Sequence, residues 1–410
     1  MKRLLWIGCL SYLVIGIAHV VGGSVLEPMM AHYGLAYRDG GQWIMNQFLG
    51  FLAGVLLAPA LSGKLGKRGV VLLAMGALTV SEAAYSLLLP WEWMLAVAPI
   101  AGFGFGMTEA IVGAMVIDLV KDGKASAVSR LETFFGLGAL LIPITAAYLI
   151  QQHIWQLSFP ILAALSGITF VLWLTMSFGN ETDDALAAQP AAGQRDSSDT
   201  AVSIKRGKRG EAGVYGYAYS ALPFLALAAL FFMIYVGMEM SFSNYLPSIM
   251  IDRSGMEEAG AAAVLGLFWG MVVVGRLFAG VLADRIGYVR YLAYATIGAT
   301  IVISLMGMVQ GLAGMLILTA LCGLFFSGMF GIALVYANEL LPGMTERTTS
   351  ILVAFGGLGG AIFPRITGWM MDVFHVGATL WYIAALVGLL LVLLIVMLVL
   401  GRKRKLAITG

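Results

Sequence analysis

The chain is poor in charged residues. They make up only 11% of its 410 residues, whereas 60% are hydrophobic and the mean hydropathy is +0.92. Soluble domains carry about 25% charged residues, so this composition favours a protein embedded in lipid. The net charge of +2 is too small to indicate nucleic acid as a partner.

Residues that carry chemistry are also scarce. The two cysteines, Cys9 and Cys322, each lie within an apolar run and predict neither a disulfide framework nor a ligand set. No Ser-His-Asp pattern, metal-ligand cluster or phosphate-binding loop occurs in the sequence. We therefore expect no enzymatic activity, no cofactor and no bound metal.

Long apolar segments are abundant instead. Twelve of them have about 20 residues or more, enough to cross a hydrocarbon core of ~30 Å. They are 4–30, 41–63, 69–90, 93–119, 127–150, 155–178, 220–250, 259–283, 288–309, 312–341, 347–371 and 376–400. The first one has no small-residue cleavage site and is expected to be retained as a span. The sequence thus predicts an all-α membrane protein.

A polar stretch divides the apolar segments into two sets. Residues 179–219 are rich in polar residues and basic toward their end, which is typical of a flexible linker. We predict an N-terminal six-helix domain at 1–178, a linker at 179–219, and a C-terminal six-helix domain at 220–410 that ends in a short basic tail.

Lysine and arginine are distributed unevenly between the two sides. One side carries Lys2, Arg3, Lys64, Lys67, Arg68, Lys121, Lys124, Lys205, Arg206, Lys208, Arg209, Arg285, Arg290, Arg347 and the tail at 402–405. The other side carries Arg38 and Arg253. Cytoplasmic loops are enriched in these residues, so both termini and the linker are predicted to be cytoplasmic, with the protein in the cell membrane.

The sequence repeats itself at an offset of 221 residues. The stretch FFGLGALLIPIT at 134–145 lies over FGGLGGAIFPRI at 355–366, and Gly102 lies over Gly323. A constant offset predicts two six-helix bundles related by pseudo-twofold symmetry. Such repeats can rock about a cavity at the middle of the membrane and expose it to each side in turn.

Ionisable side chains that occur in only one half need an explanation, because a charge at mid-membrane costs about 2.5–3.5 kcal/mol. Glu109 interrupts an apolar run and lies over Phe330, and Glu132 lies over Val353. We predict that Glu109 carries a proton and that Glu132 shares in this coupling. Alternatively, Glu109 is neutral and hydrogen-bonded within the protein, and Glu132 binds substrate or pairs with Arg130 or a loop cation.

Polar and aromatic residues in several spans are candidates for binding a substrate. They are His19, Asn46, Gln47, Glu239, Asn244, Trp269 and Arg365. Pockets combine apolar walls with a few placed polar groups, and aromatic rings can stack on a sugar-like ligand. The alternative for each is a structural role, such as an interfacial anchor or an ion pair of Arg365 with Glu239 or Glu27.

The stretch GRLFAGVLADRIGYVR at 275–290 has the spacing of a known loop. It resembles the loop signature of the major facilitator superfamily in Gly280, Asp284, Arg285, Gly287 and Arg290. The first half has Gly63 where the acid would be. An Asp at a helix end can hold one packing state and release it in another, so this loop is predicted to act as a conformational latch.

Other stretches resemble the fucose-permease-like branch of that superfamily, particularly its bacterial glucose/mannose:proton symporters. They are IAHVVGGSVLEPMM, QFLGFLAGVLLAP, TEAIVGAMVI, RLETFFGLGAL, EMSFSNYLPSIMI and LFWGMVVVGR. The resemblance implies cation-coupled sugar uptake, with the coupling acid at Glu109 and with Glu132, Glu239 and Asn244 as sugar contacts. Ser24 stands where the fucose permease has Asp, so fucose itself is not implied.

These observations predict an alternating-access transporter for the proton-coupled uptake of a sugar or similar small polar metabolite. We expect a monomer in the bilayer, with H+ favoured over Na+ as the coupling ion. A proton-antiporting exporter of drugs or metabolites on the same fold is the alternative, because the chain has 23 methionines. A receptor or lipid-handling protein without coupled transport would not need the mid-membrane acids.

Overall fold

The computed structural model describes residues 2–119, 124–187, 213–214, 217–341 and 344–409. These ranges are almost entirely helical. The helices are α1 (Lys2–Tyr33), α2 (Tyr37–Ser86), α3 (Trp91–Leu119), α4 (Lys124–Gln151), α5 (Ser158–Thr175), α6 (Asn180–Ala187), α7 (Leu222–Ser254), α8 (Glu258–Ile286), α9 (Tyr288–Met308), α10 (Leu312–Phe326), α11 (Met329–Glu339), α12 (Thr345–Val373) and α13 (Val376–Thr409). Short 3-10 turns at Trp155–Leu157 and Tyr219–Ala221 precede α5 and α7, and the two-residue strands β1 (Gly213–Val214) and β2 (Tyr217–Ala218) pair antiparallel.

Eleven helical segments within these ranges are long and apolar enough to cross a membrane. One of them, the 50-residue α2, contains two predicted spans, because its backbone leaves the helical conformation at Gly66 (φ 72°, ψ 162°). Glycine tolerates this positive φ, which other residues rarely adopt. Helices α10 and α11 together form one of the eleven segments. Counting α2 as two spans gives twelve, so the prediction of twelve transmembrane helices is confirmed.

The two halves repeat the same packing. Helix α1 packs on α4 and α5, and α7 packs on α12 and α13 in the same way. Close approaches recur at equivalent positions. A Cβ on Gly102 would collide with the main-chain oxygen of Gln47. Both residues have equivalents 221 positions further along, Gly323 and Phe268, and a Cβ on Gly323 would meet the main-chain oxygen of Phe268 in the same way. The predicted pair of six-helix bundles is therefore present.

The pseudo-twofold axis passes between α1 and α7. His19 Nε2 lies 3.3 Å from Met240 Sδ, and a Cβ on Gly23 would lie 2.8 Å from the Cα of Asn244. Each pair is separated by the repeat offset of 221 residues, and equivalent positions can touch each other only at the axis. Helix α2 packs on α12 and α4 packs on α8 across the interface, so these four helices flank the space around the axis.

Most of the predicted linker and parts of the basic loops lie outside the described residues. These parts include Lys121, Lys205, Arg206, Lys208 and Arg209. The basic end of the molecule is defined here as the end where α2 bends at Gly66 and where α8 meets α9, with Lys64, Lys67, Arg68, Arg285 and Arg290. The opposite end is called the far end.

Gly102 provides a test of the tight packing between α2 and α3. In Gly102→Leu the side chain would meet the main-chain oxygen of Gln47, which cannot rotate away. We expect the free energy of unfolding to fall by about 1–3 kcal/mol, measured as a lower thermal midpoint in detergent. Gly388→Leu is the control, because its Cβ would have no heavy atom within 4 Å. An unchanged midpoint for Gly102→Leu would contradict this account.

The short helix α6 is attached to the basic end by Asp183. Its carboxylate accepts hydrogen bonds from the Ser177 hydroxyl (2.6 Å) and the Phe178 N–H (3.1 Å), and it lies 3.7 Å from Arg68 Nη1. Arg68 also donates to the carbonyl oxygens of Trp173, Leu174 and Met176 at the end of α5. One arginine thus connects the bend in α2 to the segment that follows α5.

The pH dependence of this attachment follows from the pKa of Asp183. The Ser177 hydroxyl, the Phe178 N–H and Arg68 hold that pKa below its ordinary value of 3.8. A lowered carboxyl pKa stabilises the attachment above the ordinary value, and this contribution is lost as the pH falls through the folded-state pKa. Asp183→Asn should therefore increase iodide quenching of a fluorescent probe on Ala187 at pH 7, whereas the exposed neighbour Asp184→Asn should not. Equal quenching in both variants would show that Asp183 does not hold α6.

Candidate functional site: a central cavity between the two halves

A cavity of about 890 Å³ lies between the two halves. Its inner part is lined by His19 and Trp269, and it extends to Asp284 and Tyr288 at the junction of α8 and α9. The cavity therefore begins near the pseudo-twofold axis and reaches the basic end. Helices of both halves line it, as expected for a site that changes when the halves move against each other.

Three glutamate side chains that are absent from the opposite half line this cavity. They are Glu109 on α3, Glu132 on α4 and Glu239 on α7. Glu132 lies about eight residues, ~12 Å, from the start of α4, and Glu239 lies about 17 residues, ~25 Å, from the start of α7. Both helices start at the basic end, so the acids are placed at different depths. Glu239 is buried, Glu109 is half-buried and Glu132 is exposed to the cavity.

The cavity also contains a cation that the sequence analysis missed. Arg276 on α8 lines it, and its Nη1 lies 3.7 Å from Glu132 Oε2 on α4. This ion pair joins the two halves across the cavity and replaces the predicted alternatives of Arg130 or a loop cation. Arg276 lies over Val55 at the repeat offset. The criterion that selected Glu109 would therefore have selected Arg276 as well.

Glu239 lies in a position that can hold a proton. The Tyr235 hydroxyl is 2.9 Å from Glu239 Oε1 and 3.0 Å from the carbonyl oxygen of Phe326. A phenol has one proton and can donate only one full hydrogen bond. Both contacts are satisfied when Glu239 is protonated and donates to Tyr235, while Tyr235 donates to Phe326.

Aromatic rings enclose the inner end of the cavity. The His19 ring makes edge contacts with Phe48, Phe105 and Phe135 at centroid distances of 5.2, 5.4 and 5.6 Å. The Trp269 indole N–H donates to the Ser243 hydroxyl at 3.0 Å, which fixes the ring. Such walls suit the apolar face of a small polar ligand, while the carboxyls and Arg276 provide directional contacts.

Asn46, Gln47 and Asn244 are not among the residues that line the cavity. Asn46 donates to the carbonyl oxygen of Leu95 at 3.0 Å, and Asn244 donates to that of Met240 at 2.8 Å. Gln47 is buried against the other helices of its own half. In this conformation Asn46 links α2 to α3, Asn244 bonds within α7, and none of the three amides faces the cavity.

Arg365, another predicted substrate residue, belongs to a closure at the far end. Its Nη1 donates to the carbonyl oxygen of Arg38, instead of forming the predicted pair with Glu239 or Glu27. Asp372 accepts hydrogen bonds from the main-chain N–H groups of Tyr37 (2.9 Å) and Arg38 (2.8 Å) at the start of α2. Tyr245 Oη lies 3.1 Å from the carbonyl oxygen of Tyr37. These contacts of α2 with α7 and α12 are called the far-end closure.

The predicted latch lies at the open end of the cavity. Gly280 and Asp284 line it, and the Tyr288 hydroxyl donates to Asp284 at 3.3 Å. Gly287 has a φ of 90°, which ends α8 and starts α9. Arg285 and Arg290 are exposed on the same junction. The loop is thus placed where it could respond to opening and closing of the basic end.

No group of three or more His, Cys, Asp or Glu side chains that could hold a metal ion occurs in the described ranges. The two cysteines are buried and free. The chemistry offered by the cavity is that of carboxyls, a guanidinium and aromatic rings, which can bind a ligand and exchange protons.

Comparisons with known proteins agree with this architecture. The family model described as Major Facilitator Superfamily matches residues 6–313 and, in a second match, residues 265–409. The glucose/mannose transporter GlcP of Bacillus subtilis (strain 168) is 27% identical over 365 residues, which cover 89% of this chain and 87% of that protein.

Solved structures share the fold. A D-xylose-proton symporter superposes with a TM-score of 0.77 at 14% identity, over 96% of this chain and 97% of its own. FucP, a Major Facilitator Superfamily transporter in the outward conformation, superposes with a TM-score of 0.63 at 17% identity, over 98% of each chain. The predicted family is confirmed. The chain belongs to the Major Facilitator Superfamily, whose members are multi-pass membrane transporters and not enzymes.

Proposed function

We propose that the protein is a monomeric alternating-access transporter that takes up a neutral hexose together with a proton. The observation that carries this proposal is the central cavity, which is closed at the far end, open at the basic end, and lined by four carboxyls and one guanidinium. The names of the glucose/mannose transporter and of the xylose-proton symporter support both the substrate class and the coupling ion.

The open end of the cavity should face the cytoplasm. Lysine and arginine concentrate at the basic end, and cytoplasmic loops carry such an excess. The conformation is then inward-open, with both termini on the cytoplasmic side. The far-end closure consists mainly of hydrogen bonds between exposed groups at helix ends, which water can replace when the halves rock.

Glu109 is the proposed proton carrier. The charged groups that act on it are Glu132 and Arg276, so adding or removing its proton changes the field at the ion pair that joins the two halves. Tyr12 donates to the main-chain oxygen of Glu109 at 3.0 Å and ties α3 to α1 at this level. Through the ion pair of Glu132 with Arg276, protonation at Glu109 is connected to the relative position of the halves.

The cavity suits a sugar in size and character. Its volume of about 890 Å³ lies within the range of about 300–1,000 Å³ that is typical of small-ligand pockets. Met240 is the only methionine among its lining residues in the described part of the chain. The 23 methionines of the sequence therefore do not make this a methionine-rich pocket, and the exporter alternative loses its main support.

Uptake into proteoliposomes tests the proposal. Purified protein should take up labelled D-glucose, D-mannose or D-galactose, faster when the interior is alkaline, and a protonophore should remove this acceleration. Uptake driven by a sodium gradient instead would overturn proton coupling. Absence of uptake for all three hexoses would overturn the substrate class. Lower accumulation of a labelled drug in expressing cells would instead indicate the exporter.

A further inference from the structure

Several hydrogen-bond donors that line the cavity already have acceptors within the protein. The Trp269 indole N–H donates to Ser243 at 3.0 Å, the Ser327 hydroxyl donates to the carbonyl oxygen of Leu324 at 2.7 Å, and Tyr288 donates to Asp284. A polyhydroxylated substrate therefore has to find its main donor elsewhere in the cavity.

Arg276 is a donor with unused capacity. Its guanidinium has five N–H groups, and Nη1 has no hydrogen-bond partner in the protein. The nearest carboxylate oxygen, Glu132 Oε2, is 3.7 Å away, which is an ion pair but is beyond hydrogen-bond distance. The Nη1 atom itself is buried. The Arg276 side chain as a whole is 32% exposed and that of Glu132 is 50% exposed, so a ligand in the cavity can reach both side chains.

Arg276 is also the cation shared by the ionisable groups of the cavity. It interacts electrostatically with His19, Glu109 and Glu239 in addition to Glu132. A ligand that contacts Arg276 therefore acts on the same field as a proton on Glu109. This arrangement would let one residue sense both the substrate and the proton.

We propose that Arg276 and Glu132 together bind two neighbouring hydroxyls of a neutral sugar, and that this pair excludes acidic sugars. The inference deepens the proposed function and rests on it. A guanidinium donates and a carboxylate accepts, and a hydroxyl can do both, so a vicinal diol can bridge a separation that is too long for a direct hydrogen bond. Because the two sites lie on different halves, a bound sugar also connects α4 to α8.

Exclusion of acidic sugars follows from charge. The positive charge of Arg276 is offset by the carboxylate of Glu132 at 3.7 Å. A uronate entering the cavity would meet both charges and would gain little from the arginine. Neutralising Glu132 would leave the arginine uncompensated, and the site would then attract an anion.

Transport assays on matched variants test this inference. D-glucose and D-glucuronate are the probes, and Glu132→Gln, Arg276→Gln and Arg276→Lys are compared with the wild type in proteoliposomes. We expect Arg276→Gln to raise the KM for D-glucose by about 10- to 100-fold, the loss typical of one charge-assisted hydrogen bond. Arg276→Lys should raise it as well, because a lysine lacks the planar pair of donors. Glu132→Gln should bind D-glucose more weakly and D-glucuronate more strongly than the wild type.

Two further variants separate binding from folding. Arg276→Gln with Glu132→Gln restores charge balance and should retain the thermal midpoint, yet still bind D-glucose weakly. Arg130→Gln removes an exposed arginine two residues from Glu132 and should leave the KM unchanged. Wild-type KM values in the double variant, or no gain in D-glucuronate binding by Glu132→Gln, would overturn the inference. The proposed function would still stand in that case, because it is tested by whether the wild type transports a hexose and by which ion drives that transport.

Discussion

Glu109→Gln should abolish proton-driven accumulation of hexose while leaving the exchange of labelled for unlabelled hexose intact. Glutamine resembles a permanently protonated glutamate, so the cavity can still bind sugar and change conformation but cannot release a proton. At one proton per sugar, a gradient of one pH unit would drive about tenfold accumulation in the wild type. In the variant the ratio of internal to external sugar should fall to about one.

The control for this prediction lies on the same helix. Glu92 is exposed in the first turn of α3, and Glu92→Gln should accumulate sugar as the wild type does. Accumulation that persists in Glu109→Gln would show that the proton is carried elsewhere. Glu239 would then be the next residue to substitute, because its contact with Tyr235 can hold a proton.

Gly41→Leu should prevent the far end from closing and should stop transport. A Cβ on Gly41 would lie 2.7 Å from Tyr245 Oη, 2.8 Å from the carbonyl oxygen of Pro364 and 3.0 Å from the Cα of Arg365. Two of these are main-chain atoms and cannot move aside. A cost of about 1–3 kcal/mol in the closed conformation would lower its population by roughly 5- to 150-fold, and uptake should fall accordingly.

Distances between spin labels on the two halves give a direct measurement. Ala31 and Val373 are exposed at the far end, and labels there should move apart in Gly41→Leu. Gly260→Leu is the control at the same end, since its Cβ would meet only the flexible tip of Met256. Unchanged label distances together with normal uptake in Gly41→Leu would mean that this contact is not required for closure.

The fold could be predicted closely from the sequence because the features that indicate it extend over many residues. Spans of about 20 residues and a single offset of 221 residues average over many positions, so local errors have little effect. Asymmetry between the halves was also a useful criterion, since it selected Glu109 and Glu132, which both line the cavity. The criterion uses one physical rule: a charged side chain within the membrane has to face polar surroundings, whether or not the other half has a matching charge.

Helix orientation was less predictable. Phe48 and Phe51 are three residues apart on one face of α2 and line the cavity, whereas Asn46 precedes Phe48 by two positions and faces away toward α3. Successive residues of a helix are rotated by about 100°, so the orientation of every side chain on α2 is fixed once the contact of one residue is known. Because Asn46 bonds to α3 and Gln47 is buried, while Phe48 and Phe51 line the cavity, polarity along α2 does not mark which face meets the axis.

The contact of α1 with α7 has a consequence for how such a protein can specialise. In a dimer of two identical six-helix chains, each position on the twofold meets its own copy, so His19 would oppose another histidine rather than Met240. Off the axis, every glutamate would appear twice and on both walls. Joining the copies into one polypeptide removes that restriction, so a single arginine such as Arg276 can occur on one wall without a copy on the other.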